Sequence, residues 1–357
     1  KPKMTSDPRP LPDGIEYDEK IIFVEVKEFI KKWIGFRDEE DANLVTSWVF
    51  ATHFQDNEIV RKVPFLFLLG EKGSGKSELL TILHEIVHKG YLLSKTTSAA
   101  AWFYLNKYHP TLLLNEIEEA LKDPESDIGF LARCSFDRGI SIYEKMNTEL
   151  TGTVKFESFG YKAFSARRKP SDDALNDRIV FITMFKTKEN KGIGERYYEM
   201  FGEGLKLRAK LVSYSSDKNA NLKERLIQLD KDLFGAGVLG RQKDILKQLL
   251  ACLPISVCED LFASFSLRIL SERQLEASES WNLRFVQAYF ACIHGGMTEN
   301  GKMFYSSIKM QIKNFYPQDR VPQSITISSF FRNHGFQIGA RKMNENGIYI
   351  DDTAAQE

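Results

Sequence analysis

Gly70, Gly75, Lys76 and Ser77 stand at the spacing G-x-x-x-x-G-K-S. The run from Gly70 through Glu71, Lys72, Gly73, Ser74, Gly75, Lys76 and Ser77 to Glu78 is that of a phosphate-binding loop. Glycines let the backbone curl until successive N–H groups face one anion. The helix that follows adds the positive end of its dipole. A lysine here reaches β- and γ-phosphates, and a serine here ligates Mg²⁺. The bland alternative is an ordinary glycine turn between a strand and a helix. The flanks favour a nucleotide. Phe65–Leu69 is apolar throughout, as in a strand buried on both faces, and Leu79, Leu80, Leu83 and Val87 recur at helical spacing.

A second polar pair, Asn115-Glu116, ends the apolar run Leu112–Leu114. In P-loop ATPases the matching strand usually ends in Asp-Glu: the aspartate holds the magnesium shell, and the glutamate polarises the attacking water. Glu116 suits the base. Asn115 departs from the pattern, because an amide oxygen accepts from a metal-bound water but brings no charge. The alternative is a buried strand leading into an acidic helix start, since Glu118 and Glu119 follow.

These groups need a scaffold of several elements. The chain has 357 residues, 43% of them hydrophobic, enough for two or three domains with a sizeable core. Forty-nine basic side chains balance 49 acidic ones, so any nucleic-acid binding comes from local patches. Cys134, Cys252, Cys258 and Cys292 lack zinc spacing and fit a reduced, cytoplasmic protein. No apolar run reaches the length of a membrane span. The chain starts at Lys1 rather than Met and reads as a piece of a longer protein.

Residues 1–18, with four prolines, read as a tail or linker, and 19–58 as a helical segment. Residues 59–190 alternate apolar runs with helical patterns, the sign of a parallel α/β sheet. The runs are Phe65–Leu69, Tyr91–Leu93, Leu112–Leu114, Tyr161–Ser165 and Ile179–Met184. Residues 191–276 are helical in pattern. Residues 277–353 read helix, helix, short helix and two strands, the order of a winged helix-turn-helix.

Several stretches together resemble the AAA+ ATPase domain of plasmid and viral primase–helicases, related to superfamily 3 helicases. They are Trp48–His53, the P-loop, His109–Glu116, Tyr161–Phe164, Leu175–Arg178 and Arg241–Leu246. The resemblance implies a three-layer α/β ATPase core with N-terminal helices, a helical lid and a C-terminal winged helix. It implies ATP and Mg²⁺ as cofactors, DNA as partner, a homo-oligomeric ring (most naturally a hexamer) and helicase or translocase activity. Arg178 resembles the finger that reaches a neighbour's γ-phosphate, the alternative being an ion pair with Asp177 or Asp173. Ser165 takes the sensor position where relatives commonly carry Asn. Arg241 resembles the second sensor on the lid, or is a surface residue.

The segments Ile140–Lys145 and Val154–Phe159, around a Glu149–Gly152 turn, resemble the hairpin such motors insert into a central channel. Residues 138–169 hold seven basic and three acidic side chains. Lys145, Lys155, Arg167 and Arg168 are the expected contacts to single-stranded DNA. Residues 302–342 hold seven basic side chains and one acidic one, Asp319. Ser328–His334 would enter a duplex groove and Gln337–Asp351 would form the wing, with Arg332, Arg341 and Lys342 on DNA. A slow or non-catalytic nucleotide switch, scaffolding a replication or segregation complex, is the rival function, and Asn115 is the feature that supports it.

Overall fold

The computed structural model describes residues 9–93, 98–118, 127–146, 152–170, 172–186, 196–279, 281–299, 302–318, 321–334, 336–340 and 348–351. They form two compact units, Lys1–Ile269 and Leu270–Glu357.

The first unit is built on five parallel strands: β1 (Phe65–Leu69), β2 (Tyr91–Leu93), β3 (Leu112–Leu114), β6 (Lys162–Ala166) and β7 (Ile179–Thr183). Their order across the sheet is β2-β3-β6-β1-β7. β1 is central: Phe67 pairs with Phe164 of β6 on one side and with Phe181 of β7 on the other. Phe65 to Leu68 are fully buried, which is why this strand carries no polar alternation. All five apolar runs identified in the sequence are strands, within a residue or two at their ends.

Helices α1 (Ile22–Trp33) and α2 (Glu39–Thr52) precede the sheet. α2 begins where the Asp38 carboxylate accepts from the Asp41 N–H at 2.8 Å. It is buried on nearly every side, and the Trp48 indole donates to the Pro64 carbonyl at 2.9 Å. A fully buried aromatic side chain of this size contributes about 1.5–3 kcal/mol. The Trp48–His53 stretch therefore supports β1 from behind and stands outside the chemistry.

α3 (Lys76–Ile86) follows the P-loop, and α4 (Ser98–Tyr108), α5 (Asp127–Cys134) and α6 (Asp173–Asn176) fill other crossovers. β4 (Ile142–Met146) and β5 (Thr153–Glu157) make a separate antiparallel pair, with Glu144 opposite Lys155 and Lys145 opposite Val154. The expected Glu149–Gly152 turn lies outside the described residues except for Gly152. Four helices follow: α7 (Tyr197–Lys218), α8 (Leu222–Gly235), α9 (Gly240–Ala251) and α10 (Ile255–Glu279).

Residues 9–18 are tied down, unlike a free linker. The Arg9 N–H donates to the Gly90 carbonyl at 2.9 Å, and the Arg9 guanidinium meets the buried Glu85 carboxylate at 2.8 Å. The Tyr17 hydroxyl donates to Asp217 at 2.8 Å. The prolines stiffen this strap and its polar ends anchor it.

The second unit holds α11 (Trp281–His294), β8 (Thr298–Glu299), β9 (Lys302–Phe304), α12 (Tyr305–Phe315), α13 (Ser324–Asn333), β10 (Gln337–Ala340) and β11 (Ile348–Asp351). The sheet order is β10-β11-β9-β8, antiparallel throughout. Phe285, Tyr289, Ile308, Ile327, Phe331 and Ile350 form its core. The β10–β11 pair was expected. β8 and β9 were not, because strands of two and three residues are too short to show alternation.

Candidate nucleotide site

The P-loop leaves β1 at Gly70. A Cβ at this position would strike the Met184 carbonyl, so only glycine lets the loop pass the end of β7. Gly75 has φ of 91°, a left-handed conformation, and directly precedes α3. Lys76 is buried, and its ammonium donates to the Gly70 and Glu71 carbonyls at 2.6 and 2.9 Å. Burial pulls its pKa below the ordinary lysine value, and the nearby Glu118 and Glu116 carboxylates oppose that shift. The cation is held by the loop's own carbonyls.

Ser77, Asn115 and Ser165 meet although they come from α3, the end of β3 and β6. The Ser77 hydroxyl donates to Asn115 Oδ1 at 2.9 Å, and the Ser165 hydroxyl donates to the same oxygen at 2.7 Å. Ser165 Oγ in turn accepts from the Glu116 N–H at 3.0 Å. Parallel pairing of β3 with β6 produces this, by bringing the two strand ends side by side. Glu116 itself has φ of 53°, unusual for a residue with a side chain. Local strain of this kind gathers at functional sites.

Lys72, Gly73, Ser74, Gly75, Lys76 and Ser77 line a cavity of about 250 Å³ together with Glu78, Glu116, Glu118 and Arg167. Two larger surface concavities, of about 770 and 510 Å³, have no phosphate loop. The smaller cavity gathers the loop residues with the carboxylates of Glu78, Glu116 and Glu118. Glu118 and Arg167 are the members that sequence reasoning missed. Glu118 Oε1 accepts from the Arg167 N–H at 2.7 Å, which pins the loop after β6 to the loop after β3. Arg167 was expected on DNA, but the fold sets it at the mouth of this cavity. Its position just past the strand that carries Ser165 was the available signal.

Arg178 and Arg241 do not line this cavity. The Arg178 guanidinium donates to the Arg133 carbonyl and lies 5.8 Å from the Phe136 ring centre. Burial, then the adjacent Arg241 charge, pulls its pKa below the ordinary arginine value. Asp177 pairs instead with Arg241, at 3.1 Å. The two arginines therefore form one neighbourhood, outside the lining of this cavity.

Two of the seven cations counted between 138 and 169 are spent on backbone carbonyls, one fully buried and one partly buried. Lys162 is fully buried and donates to the Ser158 and Gly160 carbonyls at 2.8 and 3.1 Å. Arg138 donates to the Val60 and Gln55 carbonyls at 3.0 and 2.6 Å, and lies over the Phe159 ring. Lys155, Arg168 and Lys169 are exposed, with Lys155 2.9 Å from Glu144 across the hairpin. Arg332 is exposed in the last turn of α13. Arg341 and Lys342 lie outside the described residues.

No protein-family model and no curated protein sequence matches the chain. Solved structures do. The active helicase Cch of SCCmec type IV aligns over 97% of this chain and 72% of its own, with a TM-score of 0.50 at 12% identity. The apo A-form C-terminal region of NrS-1 aligns over 97% and 78%, with a TM-score of 0.45 at 14% identity. The likeness to Cch is one of fold.

Proposed function

We propose that the chain is an ATP-driven DNA motor, a helicase or translocase serving the replication of a mobile element. The observation that carries this is that Lys76, Ser77 and Glu116 line one cavity at the P-loop, with Asn115 and Ser165 hydrogen-bonded to them from behind. Lys76 meets the β- and γ-phosphates, and Glu116 takes a proton from the attacking water. The Ser77 hydroxyl donates its hydrogen bond to Asn115, which leaves the serine oxygen's lone pairs free for a cation, so the residues present fit Mg²⁺ with few protein ligands. When bound, that ion neutralises charge on the phosphate oxygens.

Arg178 acts on the nucleotide of the adjacent subunit in a ring of identical chains, a hexamer by the resemblance. Arg241 stands beside it and joins it there, rather than serving its own site. The hairpin, with Lys145 and Lys155, and Arg168 just beyond β6 follow a single strand. The second unit reads as a winged helix whose Arg332, with Arg341 and Lys342, meets duplex phosphate. Residues 191–276 act as the lid. The motor works in the cytoplasm, and no described helix is long and apolar enough to cross a membrane.

A forked duplex supplied with ATP tests this: the wild-type chain separates the strands and Lys76→Ala does not. The uncharged Asn115 favours one second reading, a slow nucleotide switch, for which nucleotide binds but the fork stays closed.

A further inference from the structure

Two surface concavities that share no residue with the P-loop cavity carry opposite charge. The first, of about 770 Å³, is lined by Ile15, Glu16, Tyr17 and Glu19 of the strap and by Ser213 and Asp217 of α7. The second, of about 510 Å³, lies between residues 59–62, α8 and α9. We infer that the two form one interface: the acidic surface around Ile15 in one copy of the chain docks into the basic concavity around Ile227 in the next. The inference rests on the ring of identical chains proposed above, and it names the surfaces that join that ring.

Residues 13–19 carry four carboxylates and no cation. Two have partners within the chain: Glu19 meets Lys218 at 2.5 Å, and Asp18 accepts from the Lys20 N–H at 2.8 Å. Asp13 and Glu16 are exposed and make no ion pair among the described residues. Between them Ile15 is 43% exposed. The strap that presents them is held close to α7, since a Cβ on Gly14 would strike Ser213 Oγ.

The other concavity is lined by five cations and two carboxylates. Both carboxylates are already matched: Asp230 by Lys243 and Lys247 at 3.1 and 2.7 Å, and Asp244 by Lys62 at 2.6 Å. Arg61, Lys223 and Lys231 are exposed and have no acidic partner among the described residues. A spacing of four sets Lys223, Ile227 and Lys231 in one stripe of α8: cation, apolar side chain, cation. Ile227 is 51% exposed, and Ile59 on the same concavity 38%. Asp13, Ile15 and Glu16 are the complement: carboxylate, apolar side chain, carboxylate. A nucleic-acid backbone would satisfy the three cations and leave the isoleucines uncovered, whereas an acidic surface with an apolar centre covers both. Unlike surfaces that meet in this way repeat head to tail and close into rings.

Sedimentation velocity of the full chain over a concentration series, with ATPγS and magnesium, tests this. Wild type assembles. Asp13→Lys/Glu16→Lys sets cation against cation, and Lys223→Glu/Lys231→Glu sets carboxylate against carboxylate. Each variant alone therefore needs about tenfold more protein, or beyond, to assemble. In their equimolar mixture every strap again meets the opposite charge, and assembly returns to within about threefold of wild type. Ile227→Ser weakens assembly about tenfold. Assembly of either charge-reversed variant or of Ile227→Ser at the wild-type concentration overturns the pairing, as does a mixture that stays dissociated; the ring is then built on other surfaces. If Lys223→Glu/Lys231→Glu assembles normally and loses only affinity for a single-stranded DNA oligonucleotide, the concavity is a nucleic-acid site and the pairing is wrong. A wild-type chain that stays monomeric throughout removes the ring, and the pairing with it.

Discussion

Arg241 Nη1 lies 3.1 Å from Asp177 Oδ2, on the residue immediately before Arg178. Both partners are about half exposed, and an ion pair in that setting is worth roughly 0–1 kcal/mol. A phosphate from another subunit can therefore draw Arg241 away at little cost. Arg178→Ala should leave ATP affinity of the isolated chain nearly untouched while turnover in the assembled form falls about 10³-fold or more. Mixing Arg178→Ala with Lys76→Ala should restore activity wherever an intact arginine faces an intact P-loop. Arg241→Ala should behave like Arg178→Ala in the same mixture. Mixed assemblies that form but stay inactive would exclude action across the interface.

Glu116→Gln keeps the shape of the cavity and removes the base. ATP should bind with wild-type affinity while hydrolysis falls about 10²–10⁴-fold. Single-turnover rates measured beside nucleotide affinity check this, and normal turnover would place the base elsewhere.

The P-loop and its flanking strands were legible because the signal is local: a fixed spacing between an apolar run and a helical pattern. The Asn115–Ser77–Ser165 cluster was only half legible. Each residue could be named, but their meeting depends on β3 pairing with β6, a contact between segments some fifty residues apart. Charge counting between 138 and 169 went astray for the same reason. Lys162 reads as a surface cation in the sequence, and only the fold shows it turned inward toward two carbonyls.

That difference separates two kinds of lysine. Burial alone pulls the Lys162 pKa well below its ordinary value. Lys162→Met leaves two buried carbonyls without their donor, at about 1–3 kcal/mol each. Its melting temperature should fall and its single-strand affinity should not change. Lys155→Ala and Arg168→Ala should do the reverse, each lowering the salt slope of single-strand binding by about 0.7. Salt-dependent binding and thermal melting on the three variants decide it.

His53 is buried against His88 and Arg208, and its ring Nε2 sits 2.8 Å from the Ile86 carbonyl. Burial, then the His88 charge, lowers its pKa from 6.5 to about 3. The unfolded chain therefore binds a proton below pH 6.5 that the folded chain refuses. The stability tied to neutral His53 is complete above pH 6.5 and drains at up to about 1.4 kcal/mol per pH unit as pH falls toward 3. His53→Gln should flatten that part of the stability curve. Denaturant unfolding between pH 7 and pH 4.5 measures it, and an unchanged slope would mean another group carries the acid sensitivity.

The central claim, ATP hydrolysis coupled to movement on DNA, meets its most direct test in one number: the steady-state ATPase rate with and without single-stranded DNA, in magnesium. The account predicts that DNA raises the rate severalfold, and that Lys76→Ala abolishes both rates. A wild-type rate that is equally slow in both conditions would contradict it and leave a nucleotide switch.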